Sequence, residues 1–272
     1  MKILVCVKQV PDTTAVKIDP VTHTLIREGV PSILNTFDSF ALEMAVRLKE
    51  TTQEDTTITL LSMGPPQAAD ALRDGLAVGG DEAYLVSGRE FGGSDTLATS
   101  YILSCAIKKL ESIKGSKFDV IFCGKQAIDG DTGQVGPETA EHLGYPQVTY
   151  ATDILNTSAD NKLQIRKETS TGYEILETPL PAVISVTKTA FEPRFPTIKS
   201  RLNANRAEIT TISAQDLGEM INLSLCGLKG SPTRVKKSFT PIHESNCRLV
   251  EEETLTKSGM VLIDTLSDDK WL

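Results

Sequence analysis

The amino-acid sequence predicts an α/β protein with a doubly wound, mainly parallel sheet, an antiparallel extension of that sheet and a C-terminal arm. Three observations lead to this prediction. Short apolar runs rich in β-branched residues alternate with helical segments over the first half of the chain, as in βαβ units. A stretch of strand-like segments without helices follows, and the last part has only weak periodicity. We expect residues 1–208 to form the α/β domain and residues 209–272 to form the arm.

The first predicted strands are short and almost entirely apolar. Residues 2–7, KILVCV, and residues 57–64, TITLLSMG, have the composition of buried parallel strands. Between them, residues 35–50 carry an apolar stripe at helical spacing, and Asn35 or Thr36 is the expected N-cap. These segments predict a first βα unit and the strand that follows it.

The same alternation continues to about His142. Prolines open and glycines close a predicted helix over residues 65–80, and a third strand follows at residues 83–86. The next helix covers residues 94–110, and residues 119–124 form the fourth strand before a helix that ends near His142. Because helical segments separate the strands, we expect parallel strands with helices on both faces of the sheet.

The pattern changes after Val148. Residues 148–181 contain strand-like stretches and polar turns, which predict antiparallel strands added to the sheet, and residues 182–186 resemble another buried strand. Residues 188–208 have no clear period and are interpreted as a loop, or a loop followed by a short helix. The remaining segment is interpreted as an arm that requires a partner surface.

Composition and charge exclude several functional classes. The chain has 272 residues, with 28 Lys and Arg against 36 Asp and Glu, for a net charge of −8. This charge argues against non-specific binding of nucleic acid or an anionic membrane. Apolar runs are too short for a signal peptide or membrane insertion, and five scattered cysteines indicate reduced thiols. We therefore expect a cytoplasmic protein, and the three distant histidines give no reason to expect a metal site.

The turn after the fourth strand has the features of a ligand site. Residues 124–144, GKQAIDGDTGQVGPETAEHLG, lie where a strand ends and a helix begins, the position at which open α/β sheets bind ligands. The helix N-terminus suits a phosphate. Gly130 and Gly133 let the backbone approach a ligand closely, and Thr132 and Gln134 add side-chain donors.

Two aspartates in this turn argue against a bound phosphate. Asp129 and Asp131 would repel a phosphate unless their side chains turn aside. The residues alone leave two interpretations open, a nucleotide site or a polar turn with ordinary turn residues. The Rossmann and P-loop glycine patterns are both absent, so any nucleotide would be held in another α/β style. Three further polar turns, residues 7–13, 63–67 and 91–100, should lie at the same sheet edge. The sequence shows no set of residues typical of nucleophilic or hydrolytic catalysis.

Five segments together resemble the β subunit of electron transfer flavoproteins. They are VKQVPDT, NTFDSFALEMAVRLKE, MGPPQAADALRDGLAVGGDEAYLV, GKQAIDGDTGQVGPETAEHLGYPQ and LPAVISVTKTAFEPRFPTIKS, and they occur in that family's order over roughly residues 1–210. The resemblance implies a Rossmann-like sheet of the adenine-nucleotide α-hydrolase type. It also implies a heterodimer with an α subunit that holds FAD, with the C-terminal arm packed on that subunit.

The resemblance further implies a second nucleotide in this chain. In electron-bifurcating members it is FAD, which takes a hydride from NADH. Electrons then pass to ferredoxin or flavodoxin and, through the α-subunit FAD, to an acyl-CoA dehydrogenase or related flavoenzyme. In ordinary members it is a structural AMP. The turns favour the bifurcating type, so the chain is expected to be an electron carrier or part of an NADH-dependent electron-bifurcating oxidoreductase complex. A nucleotide-binding regulatory module is the alternative from a different class.

The nucleotide-binding residues of the family fall on several segments of this chain. They are Cys6, Val7, Asn35, Thr36, Phe37, Asp38, Met63, Gly124, Lys125, Gln126, Ala127, Ile128, Asp129, Gly130, Asp131, Thr132, Gly133, Gln134, Val135 and Gly136. In the bifurcating type, the residues near the isoalloxazine ring would be Ser94, Asp95, Thr96 and Thr99. The resemblance implies no catalytic residue and no metal.

The resemblance also implies a partner loop, defined here as residues 190–206, that docks on the acceptor flavoenzyme. Its expected contacts are Glu192, Pro193, Arg194, Ile198 and Lys199. Ile198 stands where the family has an anchoring leucine, and basic residues after it are sparser than in lysine-rich members. These departures predict a different pocket and a weaker electrostatic attraction in the partner.

Overall fold

The computed structural model describes residues 1–12, 31–52, 55–157, 161–234, 236, 247 and 249–271, and the backbone of 17–18, 25–26 and 158. The chain divides into two compact units, Met1–Lys236 and Lys237–Leu272. The boundary expected after residue 208 therefore falls inside the first unit. The expected packing of the C-terminal arm on an α subunit stays a prediction.

A mainly parallel sheet forms the centre of the first unit. The strands are β1 (Lys2–Cys6), β2 (Gln9–Pro11), β3 (Lys17–Ile18), β4 (Leu25–Ile26), β5 (Ser32–Leu34), β6 (Thr57–Met63), β7 (Glu82–Val86), β8 (Val120–Gly124), β9 (Gln147–Ser158), β10 (Lys162–Thr169), β11 (Gly172–Pro179), β12 (Ala182–Val186) and β13 (Thr210–Ile212). Over the described residues, nine of them form one sheet in the order β11-β10-β9-β12-β8-β1-β6-β7-β13. Neighbours from β9 to β13 in this order are parallel, whereas β10 is antiparallel to β9 and β11.

Helices connect the parallel strands. They are α1 (Thr36–Thr51), α2 (Ala69–Val78), α3 (Thr96–Lys114), α4 (Val135–Leu143), α5 (Ile198–Arg206), α6 (Ala214–Leu217) and α7 (Gly227–Gly230), with α8 (Leu255–Asp268) in the second unit. Consecutive residues of β1 show that helices cover both faces of the sheet. Ile3 and Val5 pack in one buried cluster with Phe40 of α1, while Leu4 packs in another with Ile102 of α3. Because both faces are buried, the strand is an unbroken apolar run.

The structure confirms the predicted fold class and the antiparallel extension, formed by β10 and β11. All five residues of β12 are buried, as expected. β9 differs from the prediction in part, because it is parallel to β12 although antiparallel to β10. The segment interpreted as the arm also contributes β13, which extends the sheet beside β7.

Two short antiparallel pairs lie between β1 and α1 in the sequence. β2 pairs with β5, and β3 pairs with β4. The sequence analysis did not predict these strands, because segments of two or three residues carry too little periodicity to be recognised.

The second unit contains α8, whose N-cap Thr254 accepts a hydrogen bond from the N–H of Lys257. Several of its large apolar side chains are exposed, including Leu255, Met260 and Ile263. Within the described residues, no helix combines the length and the apolar character that crossing a membrane requires.

Candidate functional site

The strand order creates a crevice at the carboxyl ends of β1 and β8. From β1 the chain proceeds to β6 and β7 on one side, and then returns to place β8 on the other side of β1. At such a reversal the connections leave in opposite directions, and open α/β sheets bind ligands there. The predicted turns after β1, β6 and β8 therefore share one edge of the sheet, as expected for parallel strands.

Asp38, in the first turn of α1, joins the ends of the two central strands. Its Oδ2 accepts a hydrogen bond of 2.8 Å from the Lys8 N–H, and its Oδ1 accepts one of 2.9 Å from the Gly124 N–H. Asp38 is buried. The carboxylate thus fixes the width of the crevice, because each of its oxygens holds the main chain of a different strand end.

Asn35 performs a similar task one turn earlier. Its main-chain N–H donates to the Lys8 carbonyl over 2.9 Å, its side-chain amide donates to the Gln126 carbonyl over 2.9 Å, and its Oδ1 accepts from the Ile128 N–H over 3.1 Å. Asn35 is the N-cap residue of α1, as predicted, but its side chain does not cap the helix. It instead holds the loop that follows β8.

Burial at this edge shifts the protonation of three side chains. Burial raises the pKa of Asp38 to about 7, although hydrogen bonds from Asn35, Lys8 and Gly124 favour the charged form. Burial, with a smaller contribution from the charge of Asp38, raises the pKa of Cys6 to about 12, and burial also raises that of Cys123. Both thiols are protonated at neutral pH, so neither is an activated nucleophile.

Gly124 is required by the close approach of α1. A Cβ at this position would meet Oδ1 of Asp38, and it would lie 2.7 Å from the main-chain carbon of Phe37. Gly136 is similarly constrained, because its Cβ would lie 2.6 Å from the Cys123 sulfur. These glycines allow α1 and α4 to lie directly against the end of β8.

The two aspartates that argued against phosphate are both engaged within the chain. Asp129 forms an ion pair with Lys8, whose Nζ lies 2.8 Å from Oδ1. Asp131 has a φ of 51°, and its Oδ1 accepts a hydrogen bond of 2.6 Å from the Gln126 side chain. Their side chains are therefore turned to other groups, which is the condition that a phosphate at this turn requires.

The turn also provides unused donors. The described residues offer no acceptor to the main-chain N–H groups of Thr132, Gly133 and Gln134. The N–H groups of Val135 and Gly136 lie in the first turn of α4, where no helical partner exists. Gly133 has a φ of 65°, which a residue with a side chain rarely adopts. These donors and the helix dipole suit an anionic group.

The remaining predicted residues surround the same edge. Cys6 ends β1, Val7 follows it and donates its N–H to the Leu61 carbonyl over 2.8 Å, and Met63 ends β6. Phe37 lies in the first turn of α1, after Thr36. The Lys125 ammonium is 5.4 Å from the centre of the Phe37 ring and 5.3 Å from that of Tyr150. Tyr150, which the sequence analysis did not single out, has a φ of 58°.

Residues 94–99 are closely tied to the end of the first unit. The Ser94 hydroxyl donates to the Phe91 carbonyl and accepts from the Gly227 N–H. Asp95 is the N-cap of α3, and its carboxylate also accepts hydrogen bonds from the main chain and side chain of Thr233. Ser94 and Asp95, two of the residues expected near an isoalloxazine ring, are therefore used in internal hydrogen bonds, and so is Thr96.

Thr96 connects this region to the turn after β8. Its hydroxyl donates to Gln134 Oε1 over 3.1 Å and lies 3.3 Å from Glu138 Oε1. The N-terminal turns of α3 and α4 thus meet. Thr99, one turn further along α3, is half-buried. Burial raises the pKa of Glu138, whose buried Oε2 has no hydrogen-bond partner in the described residues. Sequence analysis missed Glu138, which reads there as an ordinary first-turn acid.

The partner loop lies on another side of the first unit, against α1 and α2. Ile198, Lys199 and Glu192 are exposed, and Pro193 is half-buried. Arg194 differs from the expectation of a free partner contact, because its guanidinium forms ion pairs with Glu43 and Glu50 of α1. Phe195 is exposed as well, and sequence analysis did not single it out.

A cavity of about 540 Å³ lies beneath the partner loop, between β5, α1 and α2. A second cavity, of about 580 Å³, lies between α1, β9 and Phe191. Neither includes the turn after β8, where the N–H groups face an open edge. The described residues contain no group of three or more His, Cys, Asp or Glu side chains that could hold a metal ion.

Comparisons with known proteins agree on one family. The family model of the electron transfer flavoprotein domain matches residues 22–217. The chain is 52% identical over 262 residues to the electron transfer flavoprotein subunit beta of Megasphaera elsdenii, covering 96% of this chain and 95% of that protein. It is 43% identical over 268 residues to the caffeyl-CoA reductase-Etf complex subunit CarD of Acetobacterium woodii, covering 98% of each. The protein FixA of Azorhizobium caulinodans is 45% identical over 242 residues, covering 89% of this chain and 85% of that protein.

Proposed function

Because this chain belongs to the electron transfer flavoprotein family, as a β subunit, we propose that it binds FAD at the crevice between β1 and β8 and bifurcates electrons from NADH. In this proposal it forms a heterodimer with an α subunit that carries a second FAD. One electron goes to ferredoxin or flavodoxin, and the other goes through the α-subunit FAD to an acyl-CoA dehydrogenase or related flavoenzyme in the cytoplasm.

The main support for the proposed nucleotide site is the set of free main-chain N–H donors at the N-terminus of α4. Thr132, Gly133 and Gln134 present N–H groups without an acceptor in the described chain, next to a helix N-terminus. These groups would donate to the phosphate oxygens of the nucleotide. Lys8 neutralises Asp129 beside them, which lowers the repulsion that a phosphate would otherwise meet.

Bound FAD would supply the redox chemistry, and the chain would supply position, hydrogen bonds and shielding from water. Asn35 and Asp38 hold the two strand ends at a fixed separation, so they position the main chain that contacts the nucleotide. Thr96 and Thr99 lie at the N-terminal end of α3, and the Thr96 hydroxyl also holds Gln134 in the turn after β8. Ser94 and Asp95 hold the segment before α3 in place, because they accept hydrogen bonds from the N–H groups of Gly227 and Thr233.

The name of one relative supports an electron-delivering role. The name of the Acetobacterium woodii relative places it in a complex of caffeyl-CoA reductase with an electron transfer flavoprotein. A chain similar to it along almost its whole length fits delivery of electrons to a reductase or dehydrogenase that acts on a CoA ester. We propose this acceptor class for the present chain.

One observation favours a second candidate, a β subunit that holds structural AMP. Ser94 and Asp95 are engaged in internal hydrogen bonds, as described above. A nucleotide without an isoalloxazine ring would need no contact there. In that case the chain would hold AMP at the same phosphate-binding turn and would act as an electron carrier without bifurcation.

An anaerobic titration of the αβ complex with NADH separates the two candidates. We expect NADH to reduce two flavins per heterodimer, with the second reduction dependent on this chain's site. Thr96→Val should weaken the binding of FAD to the β subunit and leave the FAD of the α subunit bound. Reduction of a single flavin per heterodimer, unchanged by Thr96→Val, would support the AMP-holding carrier.

A further inference from the structure

Arg194 binds the partner loop to α1 through several hydrogen bonds. Its Nε and main-chain N–H donate to Glu43 Oε2 over 2.8 Å and 3.1 Å, and its Nη2 donates to Glu43 Oε1 over 3.0 Å. Nη1 and Nη2 donate to the two oxygens of Glu50 over 2.6 Å and 3.1 Å. A planar guanidinium engaged by two carboxylates in this way has a fixed orientation.

Burial distinguishes this contact from an ordinary surface ion pair. The Glu43 side chain is only 6% exposed, so its charge depends on Arg194 for compensation. Glu50 is more open to solvent, and its hydrogen bonds to Arg194 lower its pKa. Exposed ion pairs contribute little to stability, but a buried carboxylate that loses its partner is strongly disfavoured.

Two further contacts hold the same segment. The Arg47 guanidinium of α1 lies 4.5 Å from the centre of the Phe191 ring, at the start of the partner loop. Arg201, in α5, forms an ion pair with Asp74 of α2. The loop therefore has a defined position over the cavity that Phe40 and Pro193 help to line.

The segment between these contacts displays apolar side chains to solvent. Phe195 is 93% exposed and Ile198 is 85% exposed. Thr197 caps α5 in a reciprocal capping box with Ser200, which fixes where Ile198 begins the helix. Exposed apolar side chains on a segment that is held in one conformation are typical of a binding surface, because little conformational entropy is lost when they are buried.

We infer that Arg194 is a positioning residue for the acceptor flavoenzyme, and that it acts by holding the partner loop on α1 so that Phe195 and Ile198 contact the partner. This inference rests on the proposed function, which supplies the partner. It also assigns Glu43 and Glu50 to the same task, because both hold the Arg194 guanidinium.

The test uses the assembled αβ complex with an immobilised, purified acyl-CoA dehydrogenase as the probe. We expect Arg194→Gln to raise the dissociation constant at least about tenfold, and to increase hydrogen exchange of the main-chain amides in residues 191–198. Arg194→Lys should give an intermediate rise, because an ammonium cannot engage both carboxylates in a planar manner. The amount of bound nucleotide should not change.

Two control variants separate positioning from contact and from charge. Ile198→Ala should raise the dissociation constant without changing amide exchange at residues 191–195. It removes a contact with the partner but leaves intact the clamp, defined here as the ion pairs of Arg194 with Glu43 and Glu50. Lys49→Gln removes a positive charge from α1, where Lys49 pairs with Asp81, and should change neither quantity. Glu50→Gln removes one ion pair of Arg194 and preserves the pair with the buried Glu43. The buried charge therefore stays compensated, and the dissociation constant and the amide exchange should both rise modestly.

The results that overturn the inference are distinct from those that overturn the proposed function. Unchanged amide exchange in Arg194→Gln would show that the loop does not depend on the clamp. Faster exchange with an unchanged dissociation constant would show that the partner does not use the loop's position. Absence of binding by the unmodified complex would contradict the proposed acceptor and this inference together.

Discussion

The crevice between β1 and β8 and the partner loop are both attached to α1, but by different interactions. At the crevice, the buried Asn35 and Asp38 hold main-chain groups through hydrogen bonds. At the partner loop, Arg194 holds α1 through ion pairs with the buried Glu43 and the exposed Glu50. The crevice is therefore sensitive to shape and protonation, whereas the loop is sensitive to loss of charge. One helix can thus support two sites that respond to different perturbations.

Gly124→Ala should have the largest effect on the crevice side of this comparison. The added Cβ would meet Asp38 Oδ1 and the main chain of Phe37, so α1 must shift away from β8. We expect a loss of about 3 kcal/mol or more in the free energy of unfolding, with loss of bound nucleotide. Denaturant unfolding and nucleotide analysis would check it, and Gly130→Ala is the control, because its Cβ would meet no atom within 4 Å. Equal stability of the two variants would refute the packing account of Gly124.

Asp38→Ala should rank second. It leaves the N–H groups of Lys8 and Gly124 without their acceptor at a partly buried position, which costs about 2–4 kcal/mol for the two groups. Nucleotide release should accelerate, because the strand ends would no longer be joined. Thermal unfolding and the nucleotide dissociation rate measure the two effects. A variant as stable as the unmodified protein would mean that water replaces the carboxylate at no cost.

The protonation of Asp38 gives a pH dependence of known sign. Its folded pKa of about 7 lies above the ordinary value of 3.8 for an aspartate, so the folded state binds the proton more tightly. Its contribution to stability is fully present below about pH 4 and is lost as the pH rises to about 7, with a slope of at most about 1.4 kcal/mol per pH unit. Asp38→Asn should remove this slope in unfolding measurements from pH 4 to pH 8. An identical slope in both proteins would assign the titration to another group.

The turn after β8 provides a smaller comparison between neighbouring residues. Asp131→Ala removes the partner of Gln126, and Thr132→Ala removes a side chain at the free N–H groups, so each should accelerate nucleotide release about three- to tenfold. Glu141→Ala, which lies further along α4, should change the rate less than about twofold. Equal rates for all three variants would place the phosphates elsewhere.

Lys8→Gln should have the smallest effect on folding. The Lys8 ion pair with Asp129 is well exposed, so its loss should cost less than about 1 kcal/mol of unfolding free energy. Nucleotide affinity should fall more than stability, because Asp129 would then carry an uncompensated charge beside the phosphates. Parallel titrations at low and high salt would test this, and an affinity loss that salt does not reduce would exclude the electrostatic explanation.

Local patterns in the sequence were sufficient for the main strands and helices, but not for the contacts that build the sites. The apolar runs of β1 and β8 and the stripe of α1 are readable because each depends on neighbouring residues. β13 depends on its distant partner β7, and the short strands near residues 9–34 have too few residues to show a period, so they were missed. The Asp38 contact with Gly124 spans 86 residues, and the Arg194 contact with Glu43 spans 151, and no local period encodes either.

The resemblance to the family identified the candidate residues, but it did not separate their tasks. Asn35, Asp38 and Arg194 read as ligand or partner contacts in the sequence. In the structure they are bound to other parts of the same chain. Such roles depend on side-chain partners, which a motif does not specify.

Identification and counting of the nucleotides released from the denatured αβ complex would test the central claim most directly. We expect two FAD per heterodimer in the unmodified complex, and one FAD per heterodimer when this chain carries Gly124→Ala. One FAD and one AMP in the unmodified complex would contradict the proposal of bifurcation. It would leave the crevice between β1 and β8 as the site of a structural nucleotide.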